Sequence, residues 1–412
     1  MINYQHFELD NGLKVFVHPD PDTPMAVLNV LYNVGSRDEE EHKTGFAHLF
    51  EHLMFGGSVN IPSYDEPLQR VGGDNNAFTS PDITNYYITV PAVNLETAFW
   101  LESDRMLSLS FDPKVLEVQR SVVIEEFKQR YLNQPYGDVM LKLRPLAYQV
   151  HPYRWPTIGK EISHIEDATM EDVRGFFGKH YLPNNAIMVV SGNVTLDLVK
   201  QLSEKWFGPI PAGFRPERNL PVEPVQTEKR SLTIEANVPS DALYMAFHMP
   251  GRMDSGYHAI DLMSDILGRG KSSRFYSALV EDKKIFNSLG AYVSGSLDPG
   301  LLMIEGKTTN GVGLEKAESA VWELIHNFKR DAFSQEELTK VKNKAESTLV
   351  FSELELLNRS MSLAFAANMG DPDQVNTEAD QIQAVQKEEV MAQTDAILSE
   401  KNASVIRYAS AQ

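Results

Sequence analysis

His48, Glu51 and His52 stand at positions i, i+3 and i+4 of the run Gly45-Phe46-Ala47-His48-Leu49-Phe50-Glu51-His52-Leu53-Met54-Phe55. On a helix all three side chains share one face. Two imidazoles one turn apart reach a single zinc ion, and a carboxylate beside them takes a proton from water that the ion has acidified. The rest of the run is Gly, Ala, Leu, Phe and Met, the composition of a helix meant for burial. Two imidazoles and a carboxylate are costly there unless they are paired or metallated. With 11 His in 412 residues, chance places only about 0.02 such motifs in a chain of this composition.

The order HxxEH is the inverted form of a zinc-protease motif, and a catalytic zinc site of that kind takes three protein ligands. The chain has no Cys, so the third donor is a carboxylate or a His. The same absence excludes disulfide frameworks, thiolate zinc fingers, iron–sulfur clusters and Cys nucleophiles. Residues 113–131 carry Val115, Leu116, Val118, Val122, Val123 and Phe127 close to a helical period, which predicts an amphipathic helix. That helix offers Glu125 and Glu126, and spacing alone leaves both open.

The elements that must hold these groups read as follows. Residues 45–55 are helical and stop at Gly56-Gly57, while 13–18 and 26–33 are strands. Residues 77–90 are β-rich around a Pro81-Asp82 interruption, which suits an edge strand or a bulge. Strands and helices mix without strict βαβ alternation, which argues for sheets covered by helices on one face. Residues 207–228 hold five of the 22 prolines and read as a linker. The segment 165–191 matches 382–408 at a constant offset of 217: in both, an amphipathic helix leads through Asn-Ala, at 185–186 or 402–403, into an apolar strand. This predicts an internal duplication of about 200 residues per copy. The expected fold is α+β, with two related domains, each a mixed β-sheet covered by helices. The catalytic domain spans 1–206, the linker 207–228 and the related domain 229–412. Around 260–268 the second copy has Ile, Met and Ser or their neighbours at the ligand positions, so it holds no zinc.

Charge excludes another class. The chain has 57 acidic against 38 basic residues, a net −19, and no basic run, which argues against a nucleic-acid partner. The start is polar by residue 3, unlike a secretory signal, and no run reaches the ~18 apolar residues of a membrane span. A cytoplasmic protein with no membrane partner is expected, or a periplasmic one if a signal has been trimmed.

The run 45–55 also resembles the metal-helix signature of the insulysin/pitrilysin-type (inverzincin) zinc peptidases, the family that includes mitochondrial processing peptidase. Gly72-Gly73, Asn76-Ala77-Phe78-Thr79 and Asn85-Tyr86-Tyr87 are similar to the strand that follows it there. His151-Pro152-Tyr153 with Pro156 and Gly159, and His180-Tyr181-Leu182-Pro183-Asn184, fit further on. The resemblance implies one Zn2+ per chain held by His48, His52 and Glu126, with Glu51 as general base in hydrolysis of an internal peptide bond. Mn or Co in the same site is the weaker alternative. It makes Asn76, Ala77 and Phe78 the substrate-binding strand, and it puts Gln119 where the family has a supporting Glu. In such relatives the second half supplies an Arg and, seven residues on, a Tyr that grip substrate; here Val280 and Asn287 fall at those positions, and the nearby Arg274 and Tyr276 are structural. Because the family builds a chamber from four such domains, the implied partner is a related, metal-free subunit carrying the Arg/Tyr pair. A homodimer is the second choice. The competing reading is a non-catalytic scaffold subunit of a related complex, although such relatives usually lose metal ligands that are all present here.

Overall fold

The computed structural model describes residues 1–214 and 217–411. Residues 215 and 216 of the proline-rich segment lie outside the described residues. Contacts divide the chain into two compact units. The first comprises Met1–Lys128, Trp155–Leu220 and Val350–Thr377; the second comprises Gln129–Arg154, Pro221–Leu349 and Glu378–Gln412. The sequence division at 207–228 follows the repeat, whereas compactness also assigns 129–154 to the second unit and 350–377 to the first.

The first unit is built on strands β1 (Gln5–Glu8), β2 (Lys14–Pro19), β3 (Met25–Tyr32), β4 (Asp74–Thr79), β5 (Thr84–Pro91) and β6 (Ala186–Gly192). They form one sheet in the order β1-β2-β6-β3-β5-β4. β2 and β6 run parallel and the other pairs antiparallel. The second unit has β7 (Arg230–Ala236), β8 (Ala242–Met249), β9 (Phe286–Ser294), β10 (Gly300–Thr308) and β11 (Ala403–Ser410). Their order is β7-β11-β8-β10-β9, with β7 and β11 parallel. The two topologies coincide once β1 is set aside. β3 and β8, β6 and β11, and the helices Met170–His180 and Lys387–Ile397 all begin 217 residues apart, so the repeat is real in three dimensions.

Two expectations need correction. The sheets are covered on both faces, not one. In the first unit, Leu363, Ala364 and Ala367 of helix Leu356–Asn368 pack with Phe16, Leu31, Ile187 and Val189. In the second, Val139, Leu143 and Ala147 of helix Val139–Ala147 pack with Ala242, Ala246, Leu301, Met303 and Ile406. Each sheet thus buries its second face under a helix from the opposite half of the sequence. β3 carries the sign of this, because Ala26–Leu31 is apolar on both alternating sets except Asn29, as strands buried on two faces are. Asn29 is satisfied by mutual amide bonds with Asn85 on β5, at 3.0 and 2.8 Å. The second correction concerns Pro81, which lies in the β4–β5 connection and not within a strand. Its carbonyl accepts the Arg37 amide at 3.0 Å.

On helix Tyr257–Gly268 of the second unit, Asp261 and Asp265 stand one turn apart. Burial, with the charge of Asp265 next, pushes the Asp261 carboxyl up to about 6, against the opposing pull of Arg269 and Arg252. A carboxyl whose folded value lies above its unfolded one favours the neutral form on folding, so its contribution is complete below pH ~4 and is lost as pH rises through about 6. The difference corresponds to roughly 3 kcal/mol at pH 8. Asp261→Asn is therefore expected to raise the thermal midpoint at pH 8 and to give no gain near pH 3.5. A less stable Asn variant at pH 8 would refute this.

Candidate metal centre

Histidines 48 and 52 lie on helix Phe46–Leu53. Its buried face is Phe46, Ala47, Leu49, Phe50 and Leu53, with the Phe50 ring stacked on Tyr181 at 5.2 Å between centroids. Its N-cap, Gly45, has φ +88, a conformation open to glycine, and a Cβ there would fall 2.7 Å from the Ile158 carbonyl oxygen. Glycine brings no capping side chain, so the first turn's amides need another acceptor. Glu39 supplies it: its carboxylate accepts from Gly45 N at 2.9 Å and Ala47 N at 2.8 Å. Burial pushes the Glu39 carboxyl up, opposed by these two amide donors. At the other end, the Phe55 ring lies 5.2 Å from the guanidinium of fully buried Arg105, which is bonded to Glu102 at 2.9 and 2.5 Å. Both ends of the histidine helix are therefore anchored.

The carboxylate arrives from helix Pro113–Phe127. Asp112 caps it, accepting from Lys114 N at 2.8 Å, and Pro113 pre-sets its first turn. The approach is close because residue 56 is glycine, where a Cβ would meet Val115 Cγ1 at 2.3 Å. Past Phe127 the helix widens into a π-helical turn, Lys128–Leu132.

Glu126 Oε2 lies 3.6 Å from His48 Nε2 and 3.5 Å from His52 Nε2, and the two imidazoles are nearly perpendicular at 4.8 Å between centroids. Ligands about 2.0–2.1 Å from a tetrahedral zinc are about 3.4 Å apart. The two carboxylate–imidazole separations match that value and all three donors lie within 4.8 Å of one another, so the set fits a divalent ion of that size. Among the described residues this is the one cluster of three such donors. Glu125, left open by spacing, pairs instead with Lys128 at 2.7 Å with its side chain 59% exposed.

Glu51 is half-buried on the same helix as the histidines, and its Oε2 accepts from Thr79 Oγ1 at 2.6 Å. The negative charge of Glu51 adds to burial in pushing the phenols of Tyr86 and Tyr181 upward. Thr79 ends β4, whose outer side is the open edge of the sheet. Asn76 and Phe78 are exposed on that strand and Ala77 is half-buried. Gln119 is half-buried two turns before Glu126. Sequence reasoning gave no role to Glu39, and none to Thr79 beyond its place at the end of the substrate-binding strand. The signal for the first is an uncapped Gly at a helix start with an acid six residues before it; for the second, it is a hydroxyl at the end of a polar strand.

In the second unit Gly256, at φ +91, opens helix Tyr257–Gly268 as Gly45 opens the histidine helix. Matching the two glycines puts buried Ala259, Leu262 and Met263 at the places of His48, Glu51 and His52. Asn287 donates its amide to the Thr308 carbonyl at 3.0 Å, Val280 is half-buried, and Arg274 forms a two-pronged pair with Glu337 at 2.7 and 2.8 Å.

Two His and a carboxylate converge from two helices, on the first of two duplicated α+β units, as a donor set that could hold a metal ion. Residues 14–160 match the family model described as insulinase (peptidase family M16), and residues 167–345 match that of the peptidase M16 inactive domain. A protein named zinc protease PqqE, from Helicobacter pylori, is 31% identical over 347 residues, 82% of this chain and 78% of that protein. The crystal structure of a protease from Helicobacter pylori superposes with a TM-score of 0.92 at 26% identity, covering 99% of this chain and 100% of that one. The periplasmic protease PqqL of Escherichia coli shares the fold, with a TM-score of 0.78 at 20% identity; 99% of this chain covers 48% of that chain. The chain belongs to peptidase family M16.

Proposed function

We propose that this chain is the metal-bearing subunit of a zinc endopeptidase that cuts peptides or unfolded segments inside a chamber completed by a second chain. The observation that carries this reading is the convergence of His48, His52 and Glu126, with the Glu126 carboxylate 3.5–3.6 Å from both imidazoles and all three donors within 4.8 Å of one another, and Glu51 on the helix of the histidines. His48, His52 and Glu126 would hold the ion. When bound, zinc acidifies a water and polarises the scissile carbonyl. Glu51 would take a proton from the attacking water and return it to the leaving amine. The edge of β4 receives the substrate in extended form, its backbone pairing along Asn76, Ala77 and Phe78. Gln119 keeps a polar group, without a charge, in the position that supports the metal carboxylate.

Residues 1–206 carry the chemistry in this proposal, and 229–412 are an emptied copy, in keeping with the family description matched by much of the second half. A scaffold role would tolerate loss of the donor set, and all four residues are in place. Because Val280 and Asn287 replace a substrate-gripping Arg and Tyr, the partner is a related subunit that brings that pair and lacks the metal motif. That the E. coli PqqL chain is about twice as long as the region matched supports a two-chain assembly here.

The test is hydrolysis of an unstructured fluorogenic peptide by the zinc-loaded chain, alone and mixed with a similar-length chain that lacks HxxEH and has Arg and Tyr seven residues apart. Missing transition-state donors cost about 10^2–10^3 in kcat. The mixture is expected to exceed the isolated chain by about that factor. Full activity from the isolated chain refutes the partner.

A further inference from the structure

Thr79 occupies a place that the peptidase reading leaves without a task. Along β4 the burial alternates: Asp74, Asn76 and Phe78 are exposed, whereas Asn75, Ala77 and Thr79 are half-buried. Ala77 is paired with Tyr86 and Thr79 with Thr84, and Tyr86 is fully buried with its ring 6.1 Å from Phe55, just beyond the histidine helix. The Thr79 side chain therefore leaves the strand on the face that packs against the histidine helix, where its hydroxyl donates to Glu51 Oε2 at 2.6 Å. A hydroxyl-to-carboxylate bond of that length is of the strong, charge-assisted kind.

The strand is pinned at the Thr79 end. Ser80 N donates to the Ile83 carbonyl at 2.8 Å, and Ser80 Oγ accepts from the amides of Asp82 and Ile83 at 3.1 and 3.0 Å. Asp82 is tied to Arg37 by an ion pair of 3.0 Å between buried side chains. Thr79 is also β-branched, so its rotamer is restricted. One strand thus offers its outer edge to an extended chain and, from its last residue, grips the carboxylate beside the metal ligands.

We propose that Thr79 is a positioning residue: its hydroxyl fixes the Glu51 carboxylate for proton transfer, and through β4 it joins the seating of substrate backbone to the aim of the base. This rests on the peptidase reading above. A small misplacement of a reacting group costs as much as about 100-fold in rate, which sets the size of the effect.

Thr79→Val keeps the shape and removes the donor; Thr79→Ser keeps the donor. In the assembly that hydrolyses peptide, Thr79→Val is expected to lower kcat about 10- to 100-fold, with KM and zinc affinity within about twofold of the parent, and Thr79→Ser to recover most of the loss. A crystal structure of the Thr79→Val chain reads the base directly and is expected to show the Glu51 carboxylate displaced or in several positions. An unchanged kcat, an equal loss in the Ser variant, or an unmoved Glu51 overturns the proposal. Glu51→Gln separates the two levels: if it keeps full turnover the peptidase mechanism itself fails, whereas if it is inactive and Thr79→Val is not impaired, only the role of Thr79 falls.

Discussion

Glu51→Gln is expected to bind zinc as the parent does and to lose peptide hydrolysis by at least 10^2- to 10^4-fold, the usual worth of a positioned general base. The amide is nearly the same shape and still accepts from the Thr79 hydroxyl, so the helix and the strand end have no reason to move. It cannot take a proton at neutral pH. The histidines and Glu126 are untouched, which is why metal content and turnover part company. Zinc stoichiometry by elemental analysis and kcat on the same preparation make the measurement. Retained turnover would falsify the assignment of Glu51, and lost zinc would instead make Glu51 part of the metal's holding set.

The second large effect belongs to Glu126→Gln. Its Oε2 lies 3.5 and 3.6 Å from the two imidazoles, and the change removes the anionic donor of the proposed three-ligand set. Loss of a mere supporting contact to a metal ligand costs about 10- to 100-fold in affinity; loss of the ligand itself is expected to exceed 100-fold, read by competition with a chromogenic chelator. Peptide hydrolysis falls with it and returns partly at high zinc. Glu125→Gln is the matched control. Its carboxylate faces solvent beside Lys128, so zinc affinity should stay within about twofold, an exposed pair of that kind being worth ~1 kcal/mol or less. If the two variants exchange behaviour, the ligand assignment is reversed.

Much of the site was legible before any coordinates, because helical geometry ties side-chain direction to spacing. His48, Glu51 and His52 share a face whatever surrounds the helix, and their apolar neighbours demand a reason for them. The absence of Cys reduced the third donor to a carboxylate or His. The duplication was legible for a similar cause: equal spacing of helix, Asn-Ala and strand survives where residue identity has drifted. The covering of both sheet faces is written in the apolar run of β3, interrupted only by Asn29, but a short apolar strand does not say which distant helix completes it.

What the sequence by itself determined is therefore the local chemistry: two imidazoles and a carboxylate on one face of an otherwise apolar helix, a second copy emptied of them, and a sheet-and-helix repeat to carry both. What only the tertiary structure decided is which of two adjacent glutamates turns inward, that Glu39 caps the histidine helix and that Thr79 holds Glu51. Adjacent helix positions differ by about 100°, so the choice between Glu125 and Glu126 depends on how one helix is rotated against another. That rotation is set by close contacts such as Val115 on Gly56, between residues 59 positions apart. The Thr79–Glu51 bond likewise joins residues 28 positions apart that packing brings to 2.6 Å, and the Glu39 cap depends on how the short segment before Gly45 folds back on the helix start.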